Sequence, residues 1–273
     1  MNTPTKAQIA AILGAIALLV LLLFARKTGP PASSTISASS DSSHASFSIN
    51  TYIDSIKSTL DKNSLEMINQ QSLLSNSKAA LDSLSRIWKR LNQIGIQAYY
   101  LKELAKMENT ADSWDRSGET YYRASRFAKG HAQHYFTDNA IEAFQKALQL
   151  DSTRLNTKVN LGICYVESTQ EPMKGIMLLR EVVGKDSTNI SAQLNLGLFA
   201  VQSGQLDKAI ERFKRIIRIN PEYAEAYLYL GQTYANMGNK TEAISALEKF
   251  KELSNDDLID SEVTQYINQL KNS

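Results

Sequence analysis

Three stretches of this 273-residue chain read alike: Asn160 to Val166 (NLGICYV), Asn195 to Val201 (NLGLFAV) and Tyr229 to Ala235 (YLGQTYA). Their Leu-Gly pairs, Leu161-Gly162, Leu196-Gly197 and Leu230-Gly231, lie 35 and 34 residues apart. A second stretch follows each one: Gly175 to Val183 (GIMLLREVV), Ala209 to Ile217 (AIERFKRII) and Ala243 to Lys251 (AISALEKFK). Apolar residues recur in these at three- and four-residue spacing, which marks a helix with one buried face. Gly204 and Gly238 fall where a first helix must end and turn. Pro221 stands where it suits a helix start. The period predicts a stacked helix–turn–helix unit that buries its apolar face only against a neighbour.

These residues resemble the tetratricopeptide repeat, a 34-residue helical hairpin. In that family small residues after the turn let two helices approach, and here they are Gly175, Ala209 and Ala243, with bulky Leu179, Phe213 and Leu247 four positions on. The family's closing proline is Pro221 in one copy, whereas Ser187 and Asn255 stand in the others. The first copy carries an extra residue near Glu171-Pro172. The resemblance covers residues 155–253 and implies an all-α chain folded as an α-α superhelix, with repeats at 155–188, 190–223 and 224–255.

The pattern weakens upstream. Ala140-Ile141, Phe144, Ala147 and Leu150-Asp151-Ser152 match the second half of a repeat, giving a partial unit at 111–152. Its first helix is expected at about 111–128, followed by a long turn through 130–136. Leu84, Trp88, Ala98 and Ala105 suggest one more degenerate hairpin within 47–110, and residues 48–75 read as two short helices. At the other end, Ile259, Val263, Ile267 and Leu270 form one apolar stripe on residues 256–273, the capping helix that a solenoid needs.

The N-terminus differs in kind. Ile9 to Phe24 is an unbroken run of 16 apolar or small residues, and counting from Ala7 to Arg26 gives a helix of roughly 30 Å, enough to span a bilayer with Lys6 and Arg26 snorkelling. A cleaved signal peptide is the rival, but Arg26-Lys27 stands where small neutral residues should mark the cleavage site. Residues 1–27 are therefore expected to be a single transmembrane helix that anchors the chain through residues 7–26. Thr28 to Ser46 holds eight serines among 19 residues and one formal charge, the composition of a flexible tether. Flanking charge is tied between the two sides. The short N-terminal tail and nearly uncharged tether favour the non-cytoplasmic, periplasmic side of a bacterial inner membrane.

Composition narrows the function. Lys6, Arg26 and Lys27 are the only charges in residues 1–27, leaving 27 bases against 28 acids in the remainder. Such a body lacks the cationic field that nucleic acid requires. Cys164 is the sole cysteine, which excludes an intrachain disulfide and a multi-cysteine metal site and reads as a core residue. No GxGxxG, GxxxxGK[ST], HExxH or GxSxG is present, so neither a cofactor nor catalysis is expected. His131 and His134, with Asp138, have a spacing that could hold a metal, the alternative being exposed histidines of a polar turn. Asp256-Asp257 and Asp260 read as first-turn carboxylates of the last helix. Tyr99-Tyr100 and Tyr121-Tyr122 are expected to pack between helices. Arg212, Lys214, Arg215 and Arg218 form a basic run on a second helix, either a solvated face or a contact with anionic lipid or an acidic partner.

The family resemblance implies that first helices line a concave groove that takes a protein or peptide partner. By register its candidates are Asn156, Val159, Asn160, Ile163 and Glu167 in the first copy, Ser191, Leu194, Asn195, Leu198 and Gln202 in the second, and Glu225, Leu228, Tyr229, Gln232 and Asn236 in the third. Asn160 and Asn195 share one register position, where an amide can meet a peptide backbone or serve the packing between repeats. None of these positions is Lys or Arg, so the carboxylate clamp of some groove-type repeats is missing. The expected function is a membrane-anchored adaptor for assembly or regulation of an envelope complex. The alternative is a self-assembling structural protein, in which Ile49, Ile53, Ile56 and Leu60 form a homotypic coiled coil.

Overall fold

A computed structural model describes residues 47–74, 76–254 and 257–272. The expected anchor and tether lie outside these residues. Among the described residues there are thirteen α-helices and no strand, and no helix is long and apolar enough to cross a membrane. The chain divides after Pro172 into two compact units.

The first unit holds α1 (Ile49–Lys57), α2 (Lys62–Leu73), α3 (Lys78–Arg90), α4 (Ile94–Glu108), α5 (Ala111–Ser125), α6 (Gly130–Leu150) and α7 (Leu155–Ser168). Side-chain oxygens of Ser48, Asp61 and Ser77 cap α1, α2 and α3, and Thr110 and Ser113 form a reciprocal capping box at α5. Ile53, Leu84, Trp88, Ile96 and Leu104 make a core against which Ile49, Ile56 and Leu60 pack. The stripe that could have formed a coiled coil is thus used within the unit, and the self-assembly reading loses its seam.

The expected long turn at 130–136 is not a turn. Helix α6 begins at Gly130 and runs for 21 residues. Gly130, at φ +58, makes the sharp entry, and α5 ends at Ser125, three residues sooner than read from sequence. The extra turns of α6 carry Tyr135 and Phe136, whose rings meet Phe47 at 4.9 and 5.5 Å and Tyr121 at 6.4 and 6.2 Å. Burial of this ring cluster holds as helix a segment whose polar residues read as loop.

The second unit holds α8 (Pro172–Lys185), α9 (Ile190–Gln202), α10 (Leu206–Ile219), α11 (Ala224–Asn236), α12 (Lys240–Leu253) and α13 (Asp257–Asn272). Its hairpins turn on glycine. Gly204 and Gly238 take φ of +72 and +80, and the amides after them reach back to Ala200 O at 2.8 Å and Tyr234 O at 2.9 Å. These bonds satisfy carbonyls at the helix end that would otherwise lack partners.

The Leu-Gly pairs matter for a second reason. A Cβ on Gly197 would stand 2.6 Å from the Phe213 ring, and one on Gly231 would stand 2.7 Å from Leu247 Cγ. The glycine is the slot into which the second helix's bulky residue fits, 16 positions later in both hairpins. The first unit repeats the device with Gly118 and Phe144, at 2.6 Å, but 26 positions apart. Helix α13 closes the second unit: Val263 and Ile267 join Leu247 and Phe250, with Leu228, Tyr227, Ile259 and Leu270 packed around them.

Candidate partner-binding surfaces

Short Asx turns set where each hairpin begins. Asp151 and Asp186 accept from the amides of Thr153 at 3.0 Å and Thr188 at 2.9 Å, and Asn220 accepts from the amide of Glu222 at 3.1 Å. The three turns lie at the repeat spacing and direct the chain into α7, α9 and α11. Threonine donors hold both aspartates below the usual carboxylate range.

The fifteen groove positions meet different fates. Val159, Ile163 and Leu198 are buried, at 2, 8 and 6 % exposure, so none presents an open apolar surface. Leu228 packs against the cluster that α13 covers, and Tyr229 stacks on Phe213 at 5.7 Å. Glu167 accepts from the Tyr122 hydroxyl at 3.0 Å and pairs with Arg126 at 3.3 Å, which ties α7 to α5. Asn195 turns its amide back to Ser191 O at 2.8 Å. Asn156, Ser191, Gln202, Glu225 and Asn236 are exposed, and Asn160, Leu194 and Gln232 are half-buried. The open residues of this face are mainly polar. Register sets a side chain's direction, but the element that covers it comes from elsewhere in the fold.

Candidates from the first copy belong to the first unit, and those from the second and third copies to the second. In the second unit three buried side-chain oxygens lack a donor among the described residues: Asp260 Oδ1 and Gln269 Oε1 on α13, and Gln232 Oε1 on α11.

Other readings resolve more simply. Cys164 is fully buried, and burial pushes its thiol up. Tyr121 is fully buried and Tyr100 nearly so. His131 and His134 are exposed, and among the described residues no three or more His, Cys, Asp or Glu side chains are grouped as for a metal ion. In the basic run Lys214, Arg215 and Arg218 are exposed, Lys214 lying over the Tyr234 ring at 5.5 Å, while Arg212 is half-buried and points inward. Its guanidinium donates to Gln193 Oε1 at 2.8 Å, and the fully buried Gln193 donates to Ser187 O at 3.0 Å. Sequence reading missed Gln193, although a signal existed. Lys158, Gln193 and Tyr227 all stand four before the Leu-Gly glycine, and two of the three are polar on a helix's inner side.

Seams in the first unit were equally hidden. Arg154 pairs with Asp112 at 2.6 Å and Asp115 at 3.0 Å, and Thr157 donates to Asp115 at 2.8 Å. Together with Glu167 these ties join α5 to α7.

Comparison with known proteins agrees with this architecture. Family models for tetratricopeptide repeats match residues 200–238 and 224–257. No curated protein gives a significant match. A crystal structure of MamA aligns at 23% identity with a TM-score of 0.51, covering 62% of this chain and 94% of that one. MamA residues 41 to the end, from Desulfovibrio magneticus RS-1, align at 21% identity with a TM-score of 0.51, covering 64% and 94%. Residues 200–257 thus match tetratricopeptide repeats, and the 62–64% of the chain that aligns shares the all-helical fold of these solved structures.

Proposed function

We propose that this protein is a non-catalytic adaptor, and that α9 and α11 of its second unit receive an extended segment of a partner protein. The observation that carries this is the exposed polar side that each of these two first helices presents. Exposed hydroxyl, amide and carboxylate groups can donate to and accept from the backbone of a partner strand. Ser191, Gln202, Glu225 and Asn236 offer exposed polar contacts on the same two helices. Binding should therefore rest on backbone hydrogen bonds, not on apolar anchors, and vary little with salt.

The finer reading places this adaptor at a membrane. The apolar run of residues 7–26 is its anchor, residues 28–46 its tether, and assembly or regulation of a bacterial envelope complex its setting, with the repeats on the periplasmic side. Sequence composition supports that part, and analogy of layout supports the setting.

The test is affinity isolation of the tagged full-length chain from detergent-solubilised membranes. Ser191→Arg with Gln202→Arg fills α9's exposed side with bulk and charge and should lose the partner while melting like the wild type. Thr241→Arg with Ser245→Arg, exposed positions on α12, should keep it. The opposite pattern refutes the assignment.

A further inference from the structure

The inward turn of Arg212 shapes a second feature of the same unit. Between α8 and α10, and floored by α9, lies a cavity of about 360 Å³. Leu196 and Phe199, both nearly buried, make its floor with Ala200, and Ile176 makes one wall. Its charges are Arg180, Lys208 and Arg212 against the single acid Glu211. Among the described residues no carboxylate forms an ion pair with any of the three cations. Lys208 donates to Gln205 Oε1 at 2.6 Å, and Gln205 in turn donates to Ser203 Oγ at 2.7 Å, so neutral groups fix the rim. Arg212 is likewise held by a neutral amide. Burial disfavours its charge, as do Arg215 and Arg180 nearby, while Glu211 favours it. Three cations are thus aimed at a concave, apolar-floored space with too little negative charge to balance them.

We propose that this cavity is a docking socket for an acidic–apolar peptide segment of a partner protein, in which a carboxylate meets Arg180, Lys208 and Arg212 and a neighbouring apolar side chain rests on Leu196, Phe199 and Ala200. Charge complementarity selects the occupant: a guanidinium pre-set by Gln193 loses little freedom when a carboxylate arrives, and charge-assisted bonds are the strong ones. The volume lies at the low end for ligand sites, room for side chains and not for a folded element. A flat anionic membrane fits less well, because Arg212 is recessed and Lys214 is held over Tyr234. This socket opens between the second helices α8 and α10 and takes from α9 only Leu196, Phe199 and Ala200 as its floor, not the exposed Ser191 and Gln202 of the other surface.

The experiment uses the full chain in detergent micelles and fluorescence anisotropy of a short labelled peptide of alternating leucine and glutamate. Its counterpart of leucine and glutamine should bind at least about tenfold more weakly, and added salt should weaken only the first. Arg180→Glu with Lys208→Glu changes the rim alone and should lower affinity at least about tenfold with an unchanged melting curve. Ala200→Phe, which fills the floor, should lower it without altering the charge. Ser191→Arg with Gln202→Arg should leave peptide binding intact, which separates this proposal from the groove reading. Equal binding of both peptides, or indifference to both rim and floor variants, overturns the proposal. So does displacement of the peptide by phosphatidylglycerol vesicles but not phosphatidylcholine vesicles, which would assign the cations to lipid.

Discussion

Replacing Gln193 by leucine tests the polar joint between α9 and α10. Gln193 is fully buried and closes a chain from Ser187 O through its own amide to Arg212. A neutral hydrogen bond contributes about 0.5–1.5 kcal/mol and one to a charged group about 1.5–3 kcal/mol. Arg212 is only partly buried, so water can take over some of what it loses, and the lower half of that range applies. Gln193→Leu should then cost about 2–4 kcal/mol. Arg212→Met alone should cost less, because the orphaned amide oxygen is neutral. The double variant should recover about 1–2 kcal/mol relative to the sum, since it leaves no unpaired buried group on either side. Urea denaturation followed by circular dichroism, on all four proteins of the cycle, measures this. A Gln193→Leu cost below about 1 kcal/mol, or strict additivity, would refute the joint.

Other expectations follow from the same contacts. Phe213→Ala empties the slot under Gly197 and loses the stacking on Tyr229, so it should cost about 3–5 kcal/mol in the same denaturation assay. Asp186→Asn should flatten the acid limb of the stability profile. The folded pKa of Asp186 is lowered, so its contribution is present above the ordinary carboxylate pKa and is lost as pH falls towards the folded value; melts from pH 6 down to about pH 2 read this out. Mass spectrometry of the mature protein from membranes should find residues 1–27 attached, and a mature N-terminus within 25–45 contradicts the anchor.

Much of the fold is legible because one contact repeats at one spacing. Gly197 with Phe213 and Gly231 with Leu247 are both 16 positions apart, so period alone reveals them. Gly118 and Phe144 make the same contact at 26, and the ten added residues hid Gly118 and made the start of α6 look like a turn. The aromatic cluster that holds that segment helical draws on Phe47 and Tyr121, which local pattern cannot connect. The surface on first helices was legible in register and not in coverage. Leu228 packs into the cluster that α13 closes, and Leu198 is buried, so neither of these two register positions opens onto a groove. Gln193 was the reverse case: a polar residue at an inner position whose partner, Arg212, reads in sequence as one more surface charge.

The central claim is that a partner segment lies along α9 and α11. A photo-crosslinking residue placed in the full-length chain at Ser191, Gln232 or Asn236, irradiated in native membranes and analysed by mass spectrometry, tests it most directly. All three positions should capture peptides of one common partner, while a crosslinker at Ser245 on α12 captures none of it. Capture of that partner from Ser245 alone, with none from the three first-helix positions, would contradict the account.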